Sequence, residues 1–151
     1  MTKEKMDLSE LTITYLQMIQ AAIDRMSTSS AIFKGFAATI VAGVSAISFG
    51  EINKWILLLS FTPVLCFLIL DVYYLRLERR FRYLYNSVRT GAKEVNFDLR
   101  PPRAKEILET DKKADVRIAA CIKSPSILWF YIPMIIICFV VTIMNFGGYL
   151  K

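Results

Sequence analysis

The stretch SILWFYIPMIIICFVVTIMNF, residues Ser126–Phe146, contains 21 residues and no charged side chain. A helix rises about 1.5 Å per residue, so a run of this length spans the roughly 30 Å hydrocarbon core of a bilayer. Two further runs have the same character. Ala31–Phe49 carries one charge, Lys34, and Trp55–Leu75 carries one charge, Asp71. The three runs predict three membrane-spanning helices.

The composition of the whole chain agrees with this interpretation. The chain has 151 residues, of which 55% are hydrophobic and 21% charged, and its mean hydropathy is +0.44. Soluble domains are usually less apolar and more highly charged. The alternative is a soluble helical bundle, but three such runs in so short a chain leave too few residues to cover them. We therefore expect an all-α membrane protein.

Several kinds of chemistry are missing from the sequence. The chain has no His, and its three Cys residues show no CxxC spacing, so His-based catalysis and a zinc site of the usual kind are excluded. The phosphate-binding loops and nucleophile motifs of common enzymes are also absent. We expect neither an enzyme, nor a metal site, nor a cofactor.

The basic residues are concentrated in one segment, and this predicts the orientation of the chain. Segment 76–123 holds thirteen of the nineteen basic residues and seven acidic ones, so its net charge of +6 equals that of the whole chain. Basic segments stay in the cytoplasm. We expect an inner-membrane protein whose N-terminus and segment 76–123 are cytoplasmic. The loop Gly50–Lys54 and the C-terminus would then lie outside.

Hydrophobic periodicity divides the chain into four parts. Residues 1–30 form an N-terminal amphipathic helix, 31–75 a transmembrane hairpin, 76–123 a basic helical cytoplasmic lobe, and 124–151 the third span with a short tail. The apolar face of the first helix comprises Leu8, Leu11, Tyr15, Met18, Ala22 and Met26. The polar residues Ser27–Ser30 predict a break that caps the first span.

Three further helix boundaries follow from local signals. The apolar face of the second span continues past the membrane, which predicts one helix over about residues 53–90. Arg103–Ile122 is predicted as a second cytoplasmic helix. Ser124 and Pro125 are typical of a helix start and are expected to open the third span, with Trp129 and Tyr131 as anchors at the membrane interface.

Two charged residues lie inside the predicted spans. Lys34 and Asp71 are both close to the cytoplasmic end of their helices, and the helices are antiparallel neighbours, so the two side chains are expected at similar depth. They form either an ion pair or a charged ring at an inner pore mouth. In the alternative, Lys34 extends to the headgroups and Asp71 faces them. Thr39 and Asn145 are further candidates for polar groups along a pore.

Small residues line one side of the first span. Gly35, Thr39 and Gly43 are spaced by four, and an adjacent row is formed by Ala38, Ala42 and Ala46. Such rows allow close packing of helices, within one subunit or between subunits. Three spans cannot enclose an aqueous pore alone, so a channel would need a ring of copies, for which we expect four.

Arginine and aromatic residues alternate along Arg76–Arg89. The first of the arginines, Arg76, Arg79 and Arg80, are placed to meet anionic lipid. Six basic residues lie too far from the headgroups and are candidates for binding a nucleotide or oligonucleotide through its phosphates: Arg82, Arg89, Lys93, Arg100, Arg103 and Lys105.

Residues 15–90 resemble a family of small bacterial membrane proteins from anti-phage defence loci, and within it the channel effector of the Hailong system. The resemblance rests on YLQMIQAAIDRM at Tyr15–Met26, on the pair Lys34–Gly35 and on DVYYLRLERRFRYLY at Asp71–Tyr85. It implies a membrane channel, and a partner nucleotidyltransferase whose DNA oligomers control it. The alternative is a membrane scaffold without a channel, whose basic lobe binds anionic lipid or a soluble partner.

Overall fold

The computed structural model describes residues 2–47, 61–112 and 114–147, with side chains in the first range from residue 10 onward. Within these ranges the chain is helical and contains no strand. Its helices are α1 (Thr2–Ile47), α2 (Phe61–Arg89), α3 (Ala104–Thr110), α4 (Ile118–Ile122) and α5 (Pro125–Phe146). The predicted loop at 50–54 and the first six residues of the predicted second span, 55–60, lie outside the described residues.

Two of these helices are long and apolar enough to cross a membrane, one within α1 and the other α5. Only 11% and 22% of their most apolar windows are buried within the chain. Large side chains such as Phe36, Trp129, Ile136 and Phe139 are at least half exposed. These helices are therefore not the covered core of a soluble bundle.

α1 and α2 form the most extensive packing interface and run antiparallel. The N-terminal half of α1 and the C-terminal half of α2 pack through one apolar cluster, comprising Tyr15, Ile19, Ile23, Met26, Phe81, Leu84 and Val88. A second cluster joins the other halves of α1 and α2 to α5; its buried residues include Ala37, Val41, Val72, Ile127, Met134 and Cys138. The described residues thus form a part in which two long helices pack together and a part in which three do.

The predicted break at Ser27–Ser30 is wrong, because α1 is one continuous helix that crosses the expected boundary between residues 30 and 31. Serine hydroxyls in a helix can bond to the carbonyl one turn earlier, and Ser29 bonds in this way to the carbonyl of Arg25. Ser30 instead bonds across to α2. The hydroxyls therefore find partners without a cap.

The predicted apolar face of the first helix is right in part. Tyr15 and Met26 are buried and Ala22 is half-buried, whereas Leu11 and Met18 are exposed and the side chain of Leu8 lies outside the described ones. The remaining buried positions are Ile19 and Ile23. The helix presents Tyr15, Ile19, Ile23 and Met26 to α2, a set spaced by three and four residues.

The predicted helix Arg103–Ile122 is also wrong, since only α3 and α4 are helical there. Two other boundaries are confirmed. α2 ends at Arg89 and is followed by Gly91 with φ 73°, a left-handed conformation that glycine adopts without strain. α5 begins with Ser124 as its N-cap and Pro125 in its first turn.

Candidate functional site

A charged cluster lies at the junction between the two apolar clusters. The carboxylate of Asp71 on α2 is fully buried. The Nζ of Lys34 lies 2.7 Å from its Oδ2, and the hydroxyl of Ser30 donates a hydrogen bond to its Oδ1. The ammonium of Lys34 also donates to the hydroxyl of Ser30 over 2.8 Å. The three side chains therefore form a closed triangle that satisfies a buried charge.

Tyr131 brings the third long helix to this cluster. Its ring is 2% exposed, and its hydroxyl faces the Asp71 carboxylate without reaching ordinary hydrogen-bond geometry. The prediction that Tyr131 anchors the membrane interface is therefore wrong, whereas Trp129 is 83% exposed on α5. Asp71 is the point at which α1, α2 and α5 meet through polar side chains.

The local sequence explains how the cluster forms. Ser30 and Lys34 are four residues apart, so they share one face of α1. Asp71 lies on the antiparallel neighbour at the same depth. The predicted pairing of Lys34 with Asp71 is confirmed, but the sequence analysis missed Ser30 because its hydroxyl was interpreted as part of a cap. The missed signal was a polar pair at helical spacing beside a run of apolar residues.

The other two proposed intramembrane residues lie away from this cluster. Thr39 is exposed and its hydroxyl donates to the carbonyl of Gly35 over 3.0 Å. Asn145 is half-buried near the end of α5, about 21 Å along the helix from Tyr131 at 1.5 Å per residue. The structure therefore does not gather Lys34, Asp71, Thr39 and Asn145 into one site.

Arg76, Arg79 and Arg80 of α2 hold the segment between α2 and α5, residues 90–124, which we call the connector. Arg76 donates from Nε to the carbonyl of Val116 over 3.0 Å, and Arg79 donates to the carbonyl of Asp115 over 2.6 Å. Arg80 donates to the carbonyls of Pro102 and Pro101 over 2.9 and 3.1 Å. These bonds satisfy main-chain carbonyls in a part of the connector that is not helical.

From the sequence, anionic lipid is the expected partner of these three arginines, whereas the structure pairs them with main-chain carbonyls. The carbonyls that they bind are 21 to 40 residues away, and no periodic pattern marks them. The connector folds back along α2 because three guanidinium groups tie it there. The described residues 111, 112 and 114–117 do not complete the predicted helix.

The six candidate phosphate-binding residues fall into two groups. Arg82 pairs with Glu78 at 2.8 Å and is 61% exposed, and Arg89 lies seven residues further on the same face of α2. Arg80, which holds the connector, is two residues before Arg82 and therefore points about 200° away around the helix. Arg82 and Arg89 consequently face away from the part of the connector at Pro101 and Pro102, whereas Arg79, on the same side of the helix as Arg82, binds the connector at Asp115.

The remaining candidates lie on the connector. Arg100, whose side chain is 93% exposed, is 4.0 Å from Asp98; Arg103 and Lys105 are exposed and Lys93 is half-buried. A single chain does not bring these residues together with Arg82 and Arg89. It presents two separate basic surfaces, one on α2 and one on the connector.

Two features of the described residues are therefore candidates for a functional site. They are the Ser30–Lys34–Asp71 cluster and the two basic surfaces. The first can hold a charge inside an apolar bundle, and the second can bind an anion. No protein-family model, curated protein or solved structure matches the chain.

Proposed function

We propose that this chain is the subunit of a homo-oligomeric ion channel in the bacterial inner membrane, and that it is an effector of anti-phage defence. A nucleotide or a DNA oligomer made by a partner nucleotidyltransferase binds its cytoplasmic basic residues and gates the channel. The open channel depolarises the membrane. The N-terminus and the connector lie in the cytoplasm and the C-terminus outside.

The observation that carries the proposal is the ion pair of Lys34 and Asp71. It is enclosed in a helical bundle whose outer surface is largely apolar. Ionisable side chains at membrane depth are costly and commonly mark ion pathways. The pair also joins α1 to α2 where α5 meets both, so a change in its bonding would alter the packing of all three helices.

The small residues of α1 support assembly into a ring. Gly35, Thr39 and Gly43 are exposed, and a Cβ built on either glycine meets no described atom within 4 Å. Among the described residues, neither glycine of the row has a close packing partner. In the proposal the row packs against α1 or α5 of a second copy, in a ring of four.

A ring also gives the basic residues a common site. Arg82 and Arg89 face away from the Pro101–Pro102 part of their own connector, so in the proposal they face that part of the connector of the next subunit. Arg100, Arg103 and Lys105 would meet them there. A multiply charged ligand would then bridge two subunits and bias their arrangement.

Conductance across planar bilayers tests the channel. The purified full chain is expected to carry current, and Lys34→Leu or Asp71→Leu is expected to change it, because each leaves one buried charge without its partner. The exchange Lys34→Asp with Asp71→Lys is expected to restore it in part. Unchanged currents in all variants would contradict a role for the pair.

In cells, expression without the nucleotidyltransferase is expected to depolarise the membrane.

Binding of a short DNA oligomer to detergent-solubilised protein tests the ligand. Arg100→Gln with Arg103→Gln is expected to weaken binding and reduce its salt dependence. Arg25→Gln removes an exposed arginine of α1 as a matched control. An absence of both conductance and oligomer binding would favour the scaffold alternative, in which the lobe binds anionic lipid or a soluble partner.

A further inference from the structure

We infer that the groove between α2 and α4 binds one acyl chain of an anionic phospholipid from the cytoplasmic leaflet, with its phosphate on Arg76. The groove has a volume of about 340 Å³. Its walls include Ile69, Tyr73 and Arg76 of α2, and Ile118 and Ile122 of α4. The inference requires insertion in a membrane, but neither a channel nor a nucleotide ligand.

The lining of the groove is complementary to the two parts of a lipid, the acyl chain and the phosphate. Apart from Arg76, every lining side chain is apolar or aromatic. Ile69 and Tyr73 are 69% and 59% exposed, and Ile118 and Ile122 are 51% and 45% exposed. Apolar surface of this kind is costly to leave in water. Because it lies in a concave groove, an inserted chain contacts it on more than one side.

The position of the groove places it at the membrane surface. α4 ends at Ile122, and the apolar helix α5 begins three residues later at Pro125. On α2, the lining residues from Ile69 to Arg76 extend over about 10 Å and bracket Asp71. The apolar end of the groove is therefore at the depth of the bundle, and Arg76 is at the end nearer the connector.

Arg76 is held in a geometry that suits a phosphate. Its Nε donates to the carbonyl of the buried Val116, which orients the guanidinium. The two terminal nitrogens supply four further N–H donors, the planar arrangement that binds phosphate oxygens in pairs. Arg117 and Lys123, both exposed, stand at the two ends of α4. The groove thus has positive charge at Arg76 and at both ends of α4, which favours an anionic lipid over a zwitterionic one.

Native mass spectrometry of the full chain in detergent tests the site. The protein is incubated with equal amounts of phosphatidylglycerol and phosphatidylcholine, and one retained phosphatidylglycerol per chain is expected. Ile118→Trp fills the groove and is expected to lower retention about tenfold, whereas Ile136→Trp, at a 55% exposed position of α5, is expected to leave it unchanged. Arg76→Gln is expected to remove the preference for phosphatidylglycerol.

Equal retention of both lipids by the unmodified protein would overturn the inference, and so would equal losses in the two tryptophan variants. Circular dichroism checks that the variants remain helical. A competition experiment tests the site in the unmodified protein. Decyl phosphate is expected to displace the bound lipid, and inorganic phosphate is not. Displacement by inorganic phosphate alone would identify a simple anion site, and a dimer mass without lipid would identify the groove as a contact between copies; either result would refute the lipid site.

Discussion

The hydroxyl of Tyr15 donates a 2.6 Å hydrogen bond to the main-chain carbonyl of Asp98, 83 residues further along the chain. The ring of Tyr15 also lies 5.4 Å, centroid to centroid, from that of Phe97. Phe97 has φ 54°, a left-handed conformation that is uncommon for a large side chain. The first helix and the connector are therefore joined at a point where the backbone is held in a costly geometry.

We expect Tyr15→Phe to lower the free energy of unfolding by about 1 kcal/mol, because it removes a buried hydrogen bond and keeps the ring. Thermal unfolding in detergent measures the change. The matched control is Tyr73→Phe, which removes a hydroxyl from a ring that is 59% exposed. Equal effects of the two substitutions would show that the bond to Asp98 contributes nothing.

The Lys34–Asp71 pair is expected to show strong energetic coupling. Lys34→Leu and Asp71→Leu should each destabilise the protein by about 3–5 kcal/mol, since each leaves an uncompensated buried charge. The double replacement should cost much less than the sum. The control cycle uses Arg82 and Glu78, a pair one turn apart on α2 in which Arg82 is 61% and Glu78 13% exposed, with an expected coupling of about 0.3–0.5 kcal/mol. Additive losses at Lys34 and Asp71 would contradict their interaction.

Arg80 and Arg82 are matched arginines of α2 with different expected roles. Arg80→Ala removes the bonds to the carbonyls of Pro101 and Pro102 and is expected to expose the connector to limited proteolysis. Arg82→Ala removes a surface pair with Glu78 and is expected to leave cleavage unchanged. Similar cleavage rates in both variants would show that the connector does not depend on Arg80.

Burial raises the pKa of the Cys121 thiol, an effect opposed by the guanidinium groups of Arg79 and Arg76. The neutral thiol is the form that folding favours. Its contribution to stability is therefore complete below the ordinary thiol pKa and is lost as the pH rises through the raised one. We expect Cys121 to be alkylated slowly, with a rate that rises at higher pH than for an exposed thiol.

The comparison for Cys121 is its exposed neighbour in the chain. Alkylation is followed in a protein that retains only Cys121, and in one that carries Ile122→Cys as its single cysteine. Faster alkylation of Cys121, or a rate profile at lower pH than that of the exposed thiol, would contradict the burial of this residue.

The orientation of the chain is testable with cysteines in a background free of native ones. Gly148→Cys is expected to react with an impermeant thiol reagent applied from outside the cell, and Thr90→Cys is not, because in the proposed topology the basic residues of the connector retain it in the cytoplasm. The opposite labelling pattern would reverse the proposed topology.

The elements that local patterns determine were predictable from the sequence. Ser124 and Pro125 begin α5, Gly91 follows α2, and Lys34 pairs with Asp71, because capping, turn preference and helical spacing act over a few residues. Contacts between a side chain and main-chain atoms that are far away in the sequence were not predictable. Nothing in the sequence near Arg80 indicates that Pro101 and Pro102 supply its acceptors. The burial of Tyr131 was not predictable for the same reason. Its aromatic character suggested a membrane interface, but its position in the bundle depends on the packing of α5 against α2.

The continuity of α1 has a mechanical consequence. Tyr15 and Lys34 are nineteen residues apart on a helix without a break, a separation of about 29 Å. Because the helix is continuous between them, the contacts that Tyr15 makes with the connector and the ion pair of Lys34 belong to one structural element. A displacement of the connector is therefore expected to be felt at the ion pair through α1, at a distance that no direct contact spans.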